Sequence, residues 1–157
     1  MKPLRVILIV SVLFGVVGVG RAAADDVAVV VNKANAIDGL TIVQLRKLLL
    51  SEETQVGGKK AAVFTTAAGR PDRGAALKAI CGMSEIDFNT HFMQAKFKGE
   101  TAESPRVMGS AAAVKQAVAA APGGIGLIFL ADVDDSVKVI KVAGVAPGQP
   151  GYAISAK

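Results

Sequence analysis

Short β-branched runs alternate with capped, striped segments along this chain, and that order limits it to an α/β layered fold with a parallel or mixed sheet. Val27 to Val31 is continuously apolar and reads as a buried strand. Thr41 and Gln44 make a capping box, which predicts a helix to about Leu50 with Ile42, Leu45, Leu48 and Leu49 on one stripe. Gln55 to Lys60 is polar with two glycines and predicts a turn or hairpin, and Ala61 to Thr65 a second strand. Ala68 to Asp72 breaks regular structure, and a helix follows from Arg73 to Ile80 with Gly82 as its stop. Ser84 caps the next helix, which places Phe88 and Phe92 four apart and ends near Gly99. Arg106 to Met108 is a short extended piece, and Ser110 caps an alanine-rich helix that Pro122-Gly123-Gly124 ends.

Ile125 to Leu130 predicts another buried strand. Val137 to Val142 alternates with lysines and predicts a strand nearer an edge. The tail from Gly144, with Pro147, Gly148, Pro150 and Gly151, is expected to wrap the surface. With no internal repeat or interdomain linker, residues 25–157 are expected to form one domain. Its core is expected to include Val29, Leu45, Leu48, Phe64, Leu77, Ile80, Phe92, Ile125, Leu127 and Phe129.

The residues before that domain read as a leader. Lys2 and Arg5 precede an apolar run from Val6 to Val19, and Ala22-Ala23-Ala24 supplies small residues for cleavage. The run, about 14 residues, reaches roughly 21 Å as a helix against a hydrocarbon core of about 30 Å. A signal peptide over residues 1–24 is therefore expected, giving a periplasmic or secreted mature chain that does not span the membrane. Mass spectrometry of the exported protein should find its N-terminus at Asp25, and full-length chain in the membrane fraction would rule cleavage out.

Cleavage changes the charge argument. Loss of Lys2, Arg5 and Arg21 leaves 15 basic against 13 acidic groups, so the net charge falls from +5 to +2. Basic residues are scattered, Tyr152 is the lone tyrosine and tryptophan is absent, which argues against nucleic acid as a partner. Cys81 is the lone cysteine, so no internal disulfide forms, and its apolar neighbours mark it as a packed thiol. His91 has no ligand-spaced companions, and Asp132 to Asp135 lacks the glycine and final glutamate of a calcium loop. Gly123-Gly124-Ile125-Gly126 enters a strand, the reverse of a dinucleotide fingerprint, and Gly57 to Lys60 lacks the Walker spacing. No local signature pairs a nucleophile with a base, so neither an enzyme nor a cofactor or metal site is expected.

Thr65-Thr66-Ala67-Ala68-Gly69-Arg70-Pro71-Asp72-Arg73-Gly74 carries the chemistry. A strand ends there and a helix begins, where free N–H groups and the helix dipole favour an anion. Arg70 and Arg73 could add forked, charge-assisted hydrogen bonds. Asp72 would select a protonated oxyanion or cap the helix. The candidate anion site is Thr65, Thr66, Arg70, Asp72, Arg73 and Gly74; the competing reading is an Asp-capped surface helix with two solvated arginines.

The order Val27 to Asn32, Leu40-Thr41 with its leucine-rich helix, Pro122 to Gly126, Val137 to Ile140 and Gly144 to Tyr152 resembles the substrate-binding proteins of phosphate ABC transporters, specifically small exported relatives of them. The resemblance implies a periplasmic-binding-protein-like fold, one lobe with a mixed sheet flanked by helices, about half the length of relatives in which two lobes close on an oxyanion. It implies phosphate or a similar oxyanion as ligand and an ABC transporter or another envelope protein as partner. Arg70 matches the family's phosphate-binding arginine. Gly74, Ala75 and Ala76 stand where the family's Ser-Gly-Thr-type helix start supplies hydroxyls. A binding-protein lobe without ligand, acting as an envelope interaction module, is the alternative.

Overall fold

The computed structural model describes residues 24–100 and 102–156; the expected leader lies outside the described residues except for Ala24. The chain runs β1 (Val27–Val31), β2 (Gly39–Leu40), α1 (Ile42–Leu49), β3 (Gln55–Val56), β4 (Lys59–Lys60), β5 (Ala62–Thr66) and α2 (Pro71–Ala76). It continues with α3 (Glu85–Phe97), β6 (Arg106–Met108), α4 (Ala111–Ala120), β7 (Gly124–Phe129), β8 (Lys138–Val139) and β9 (Lys141–Val142). Among the described residues no helix is long and apolar enough to cross a membrane.

The main sheet has the order β6-β5-β7-β1-β8. β5 is parallel to both β6 and β7, whereas β1 is antiparallel to β7 and β8, so the sheet is mixed. β1 is buried throughout because both sheet faces are covered. Val27, Val29 and Val31 join Leu45, Leu49, Leu77, Phe88 and Phe92 on one side. Ala28 and Val30 meet Val114 and Val118 of α4 on the other. This is the α/β layered architecture expected, with a mixed sheet flanked by helices.

Local chemistry sets the helix starts. The Thr41 hydroxyl accepts from the Gln44 N–H while the Gln44 side chain accepts from the Thr41 N–H, completing the capping box. Ser84 and Ser110 cap α3 and α4 through the N–H groups of Asp87 and Ala113. β3 and β4 form the hairpin read from Gln55 to Lys60.

Four expectations need correction. The helix expected from Arg73 begins at Pro71, because proline at the first helical position gives up an N–H that has no partner there anyway. It continues as a π-helical turn over Leu77–Cys81 and stops at Gly82, whose φ is 67°. The strand expected from Val137 to Val142 divides: β8 pairs with β1 and β9 with β2. Phe129 is half-buried, whereas the other nine expected core residues are buried. The tail is not wholly superficial, since Ile154 is fully buried and its carbonyl accepts the Val27 N–H at 2.9 Å.

Candidate functional site

Chain topology puts a switch point at one end of the sheet. β5 and β6 are parallel neighbours, with Thr66 opposite Met108, so they end at the same level. The chain leaves β5 into α2 on one face, packed in the core with Val29 and Phe88. It leaves β6 into α4 on the opposite face. Adjacent parallel strands whose following helices diverge leave a crevice beyond their carboxyl ends, where α/β proteins bind ligands. The Thr65–Gly74 segment follows β5 at that end, and the Ser110-capped start of α4 follows β6.

The two arginines take opposite roles. Arg73 turns inward and is 5% exposed. Its Nη1 donates to the Thr65 hydroxyl and, at 3.4 Å, to the Thr66 carbonyl. Its Cζ lies 5.9 Å from the Phe88 ring centroid, within cation–π range. Its Nε is buried without a hydrogen-bond partner among the described residues, 3.7 Å from Glu85 Oε1. Arg70 stays outside as the residue preceding α2, with its side chain 41% exposed. Its Nε donates to Asp72 Oδ1 at 3.2 Å, and its two terminal nitrogens have no partner among the described residues. Asp72 is fully buried, and its Oδ2 has no partner among the described residues.

The reading as an Asp-capped helix with two solvated arginines is therefore corrected. Arg70 occupies the cap position without a side-chain bond to the free helix N–H groups, and Asp72 lies inside the first turn. Only one of the arginines is solvated. The helix phase set by Pro71 turns Asp72, Arg73 and Ala76 toward the interior.

Thr65, Thr66 and Arg73 form one buried hydrogen-bonded cluster, in which the Thr66 hydroxyl has no partner among the described residues; Asp72, also buried, is held to Arg70 instead. Gly74 stands apart from it. Gly74 lines a shallow cleft with Pro71, Ala75, Lys78 and Ser155 on the far side of α2. Another cleft, lined by Leu48, Lys60, Glu103 and Arg106, lies at the beginning of β5. Neither cleft contains Arg70 or Arg73, so the charged cluster is better defined by its chemistry than by concavity.

Glu85 was not singled out in the sequence, where an acidic residue after a serine cap looks like ordinary compensation of the helix dipole. In the fold its carboxylate accepts the Gly69 N–H at 3.1 and 3.0 Å and so reaches the loop before α2.

The other singled-out groups serve packing and turns. Cys81 is buried, and desolvation raises its thiol from 9.0 to about 11, which keeps it protonated and unreactive at neutral pH. His91 meets the Phe92 ring edge-on at 5.2 Å. Lys115 and Ser136 hold the Asp134 carboxyl well below the usual carboxylate range by hydrogen bonding, closing the acidic loop as a turn. Among the described residues no group of three or more His, Cys, Asp or Glu is placed to hold a metal ion.

Solved structures share this fold. A candidate phosphate ABC transporter substrate-binding protein from Clostridium perfringens, with bound phosphate, superposes with a TM-score of 0.63 at 23% identity, over 80% of this chain and 49% of its own. An ABC-type phosphate transport receptor from Vibrio cholerae gives 0.55 at 24% identity, over 80% and 50%. PstS from Borrelia burgdorferi gives 0.63 at 14% identity, over 83% and 54%. The fold is periplasmic-binding-protein-like. This chain spans about half the length of the structures it matches, as a single lobe would. No protein-family model matches it.

Proposed function

We propose that this chain is an exported, non-enzymatic protein that binds phosphate or a similar oxyanion at the crevice beyond β5, in the manner of a substrate-binding component of a phosphate ABC transporter. The observation that carries the reading is Arg70. A buried carboxylate fixes its Nε, and its two terminal nitrogens remain available at a helix start. The fold shared with phosphate-transport receptors supports the ligand class. Thr65, Thr66, Asp72 and Arg73 serve as the scaffold beneath, whereas Gly74, whose N–H is bonded to the Arg70 carbonyl at 3.1 Å, takes no part in binding.

The site is open, and Gly74, Ala75 and Ala76 offer no hydroxyls. Solvent and salt weaken charge pairing there. Calorimetry with inorganic phosphate should therefore give a Kd between about micromolar and millimolar, roughly −8 to −4 kcal/mol. Arg70→Ala would also strand the buried Asp72, so Arg70→Lys is the cleaner variant. It keeps the charge, removes the fork, and should weaken binding about tenfold. Gly74→Ser should be tolerated, because a Cβ at Gly74 meets nothing within 4 Å, and it should leave the affinity unchanged because Gly74 faces a cleft that does not contain Arg70. Phosphate affinity unchanged in Arg70→Lys would reject the site.

The missing hydroxyls, together with Ile86, Met93 and Phe97 exposed along one face of α3, favour a second reading as a ligand-free envelope interaction module. Complete absence of anion binding in the titration would select it.

A further inference from the structure

We infer that Glu85 is a built-in competitor for the oxyanion site: its carboxylate occupies donors that an incoming anion must take. The inference rests on the site reading above and adds to it the group that sets its affinity.

A carboxylate and a phosphate make the same demands. Each brings negative oxygens that accept N–H bonds and draw a guanidinium close. The Glu85 carboxylate already meets those demands. Both its oxygens lie at hydrogen-bond distance from the Gly69 amide nitrogen, at 3.1 and 3.0 Å. Gly69 has a φ of 81°, which turns its N–H into a tight loop directly before Arg70. Oε1 also lies 3.7 Å from the Nε of Arg73. That contact is too long for a hydrogen bond, and Nε has no other partner although Arg73 is 5% exposed. A buried guanidinium nitrogen with no acceptor is costly, and a better-placed anionic oxygen would satisfy it.

The carboxylate is also displaceable. Glu85 is the first residue of α3, its side chain is 24% exposed, and it has no bond to its own helix holding it over the loop. Ser84 alone caps α3 through the Asp87 N–H, so the helix start does not depend on where the Glu85 side chain points. An oxyanion arriving at Arg70 meets the Gly69 N–H next along the chain and finds it taken. It also meets the field of the Glu85 charge, which at a few ångströms near a protein surface opposes binding by more than tenfold. Glu85 therefore keeps the buried Arg73 charge compensated when no anion is bound and holds the affinity for anions low.

The test is phosphate titration at constant ionic strength of the parent chain, Glu85→Gln and Glu85→Asp, read by calorimetry and by the urea midpoint with and without phosphate. Glu85→Gln keeps an oxygen for the Gly69 N–H and removes the charge. It should bind phosphate at least about tenfold more tightly than the parent, and its urea midpoint should gain more from phosphate because a ligand that binds only the folded state stabilises it. If Glu85→Gln is too unstable to titrate, Glu85→Asp keeps the charge but shortens the reach, and a tighter phosphate Kd is expected there too. Phosphate binding to parent and both variants with equal affinity would overturn the competitor role while leaving the site reading intact. No phosphate binding to any of the three would overturn both.

Discussion

Replacing Arg73 by alanine is expected to lower the unfolding free energy by about 3–5 kcal/mol, the usual cost of breaking a buried charged network from one side. The Thr65 hydroxyl and Thr66 carbonyl lose their donor, and Glu85 loses the cation beside it. Phe88, which is fully buried, loses the guanidinium against its ring. With a urea slope of about 1–3 kcal/mol per molar for a domain of this size, the midpoint should fall by at least about 1 M. Arg70→Lys should move the midpoint far less, because a charge remains beside Asp72 at the exposed edge. Two arginines three positions apart are thus separated experimentally, Arg73 through stability and Arg70 through anion affinity. A loss below about 1 kcal/mol for Arg73→Ala would mean that the cluster does not hold the β5–α2 junction together.

That division shows where sequence reasoning runs out. The junction itself was legible, since a β-branched run ending in two threonines and followed by Gly-Arg-Pro-Asp can only be a strand leading into a helix start. Which arginine turns inward was not legible, because it depends on the phase of α2. Starting the helix at Pro71 rather than Arg73 rotates Asp72 and Arg73 toward the sheet. Glu85 was hidden for a different reason. Its partner Gly69 is sixteen residues away, with α2 and the π-helical turn between them, and only the fold brings them together. Caps fared better because they are local: Thr41, Ser84 and Ser110 bond within three residues. The split between β8 and β9 needed partners about a hundred residues earlier, in β1 and β2, and no local alternation encodes that choice. Ile154 was equally opaque, one apolar residue in a glycine-rich tail that the start of β1 anchors through a backbone hydrogen bond.

Gly123→Ala is expected to be as damaging as the loss of Arg73, although it adds a single carbon and removes no charge. A Cβ built at Gly123 stands 2.0 Å from the Lys60 carbonyl oxygen and 2.8 Å from its carbon. Both atoms are backbone, so no side-chain rotation relieves the overlap. The backbones are drawn together there because the Gly123 carbonyl accepts the Ala62 N–H at 3.0 Å, the first rung of the β5–β7 pairing. Separating them enough for a methyl group breaks that rung or displaces β4, and a cost of about 3 kcal/mol or more follows. Gly58→Ala is the fitting control: Gly58 has a φ of 72° but nothing within 4 Å, so its cost should be backbone strain of about 1–2 kcal/mol. A urea midpoint for Gly123→Ala above that of Gly58→Ala would show that the β4 hairpin yields freely and would remove the steric argument. If the ordering holds, Gly123 belongs to the packing of the sheet, and the Pro122–Gly126 run marks where a helix must turn tightly into β7. Because β5 is the strand that delivers Thr65 and Thr66 to the candidate site, the same variant should lose phosphate binding only in proportion to its loss of folded protein.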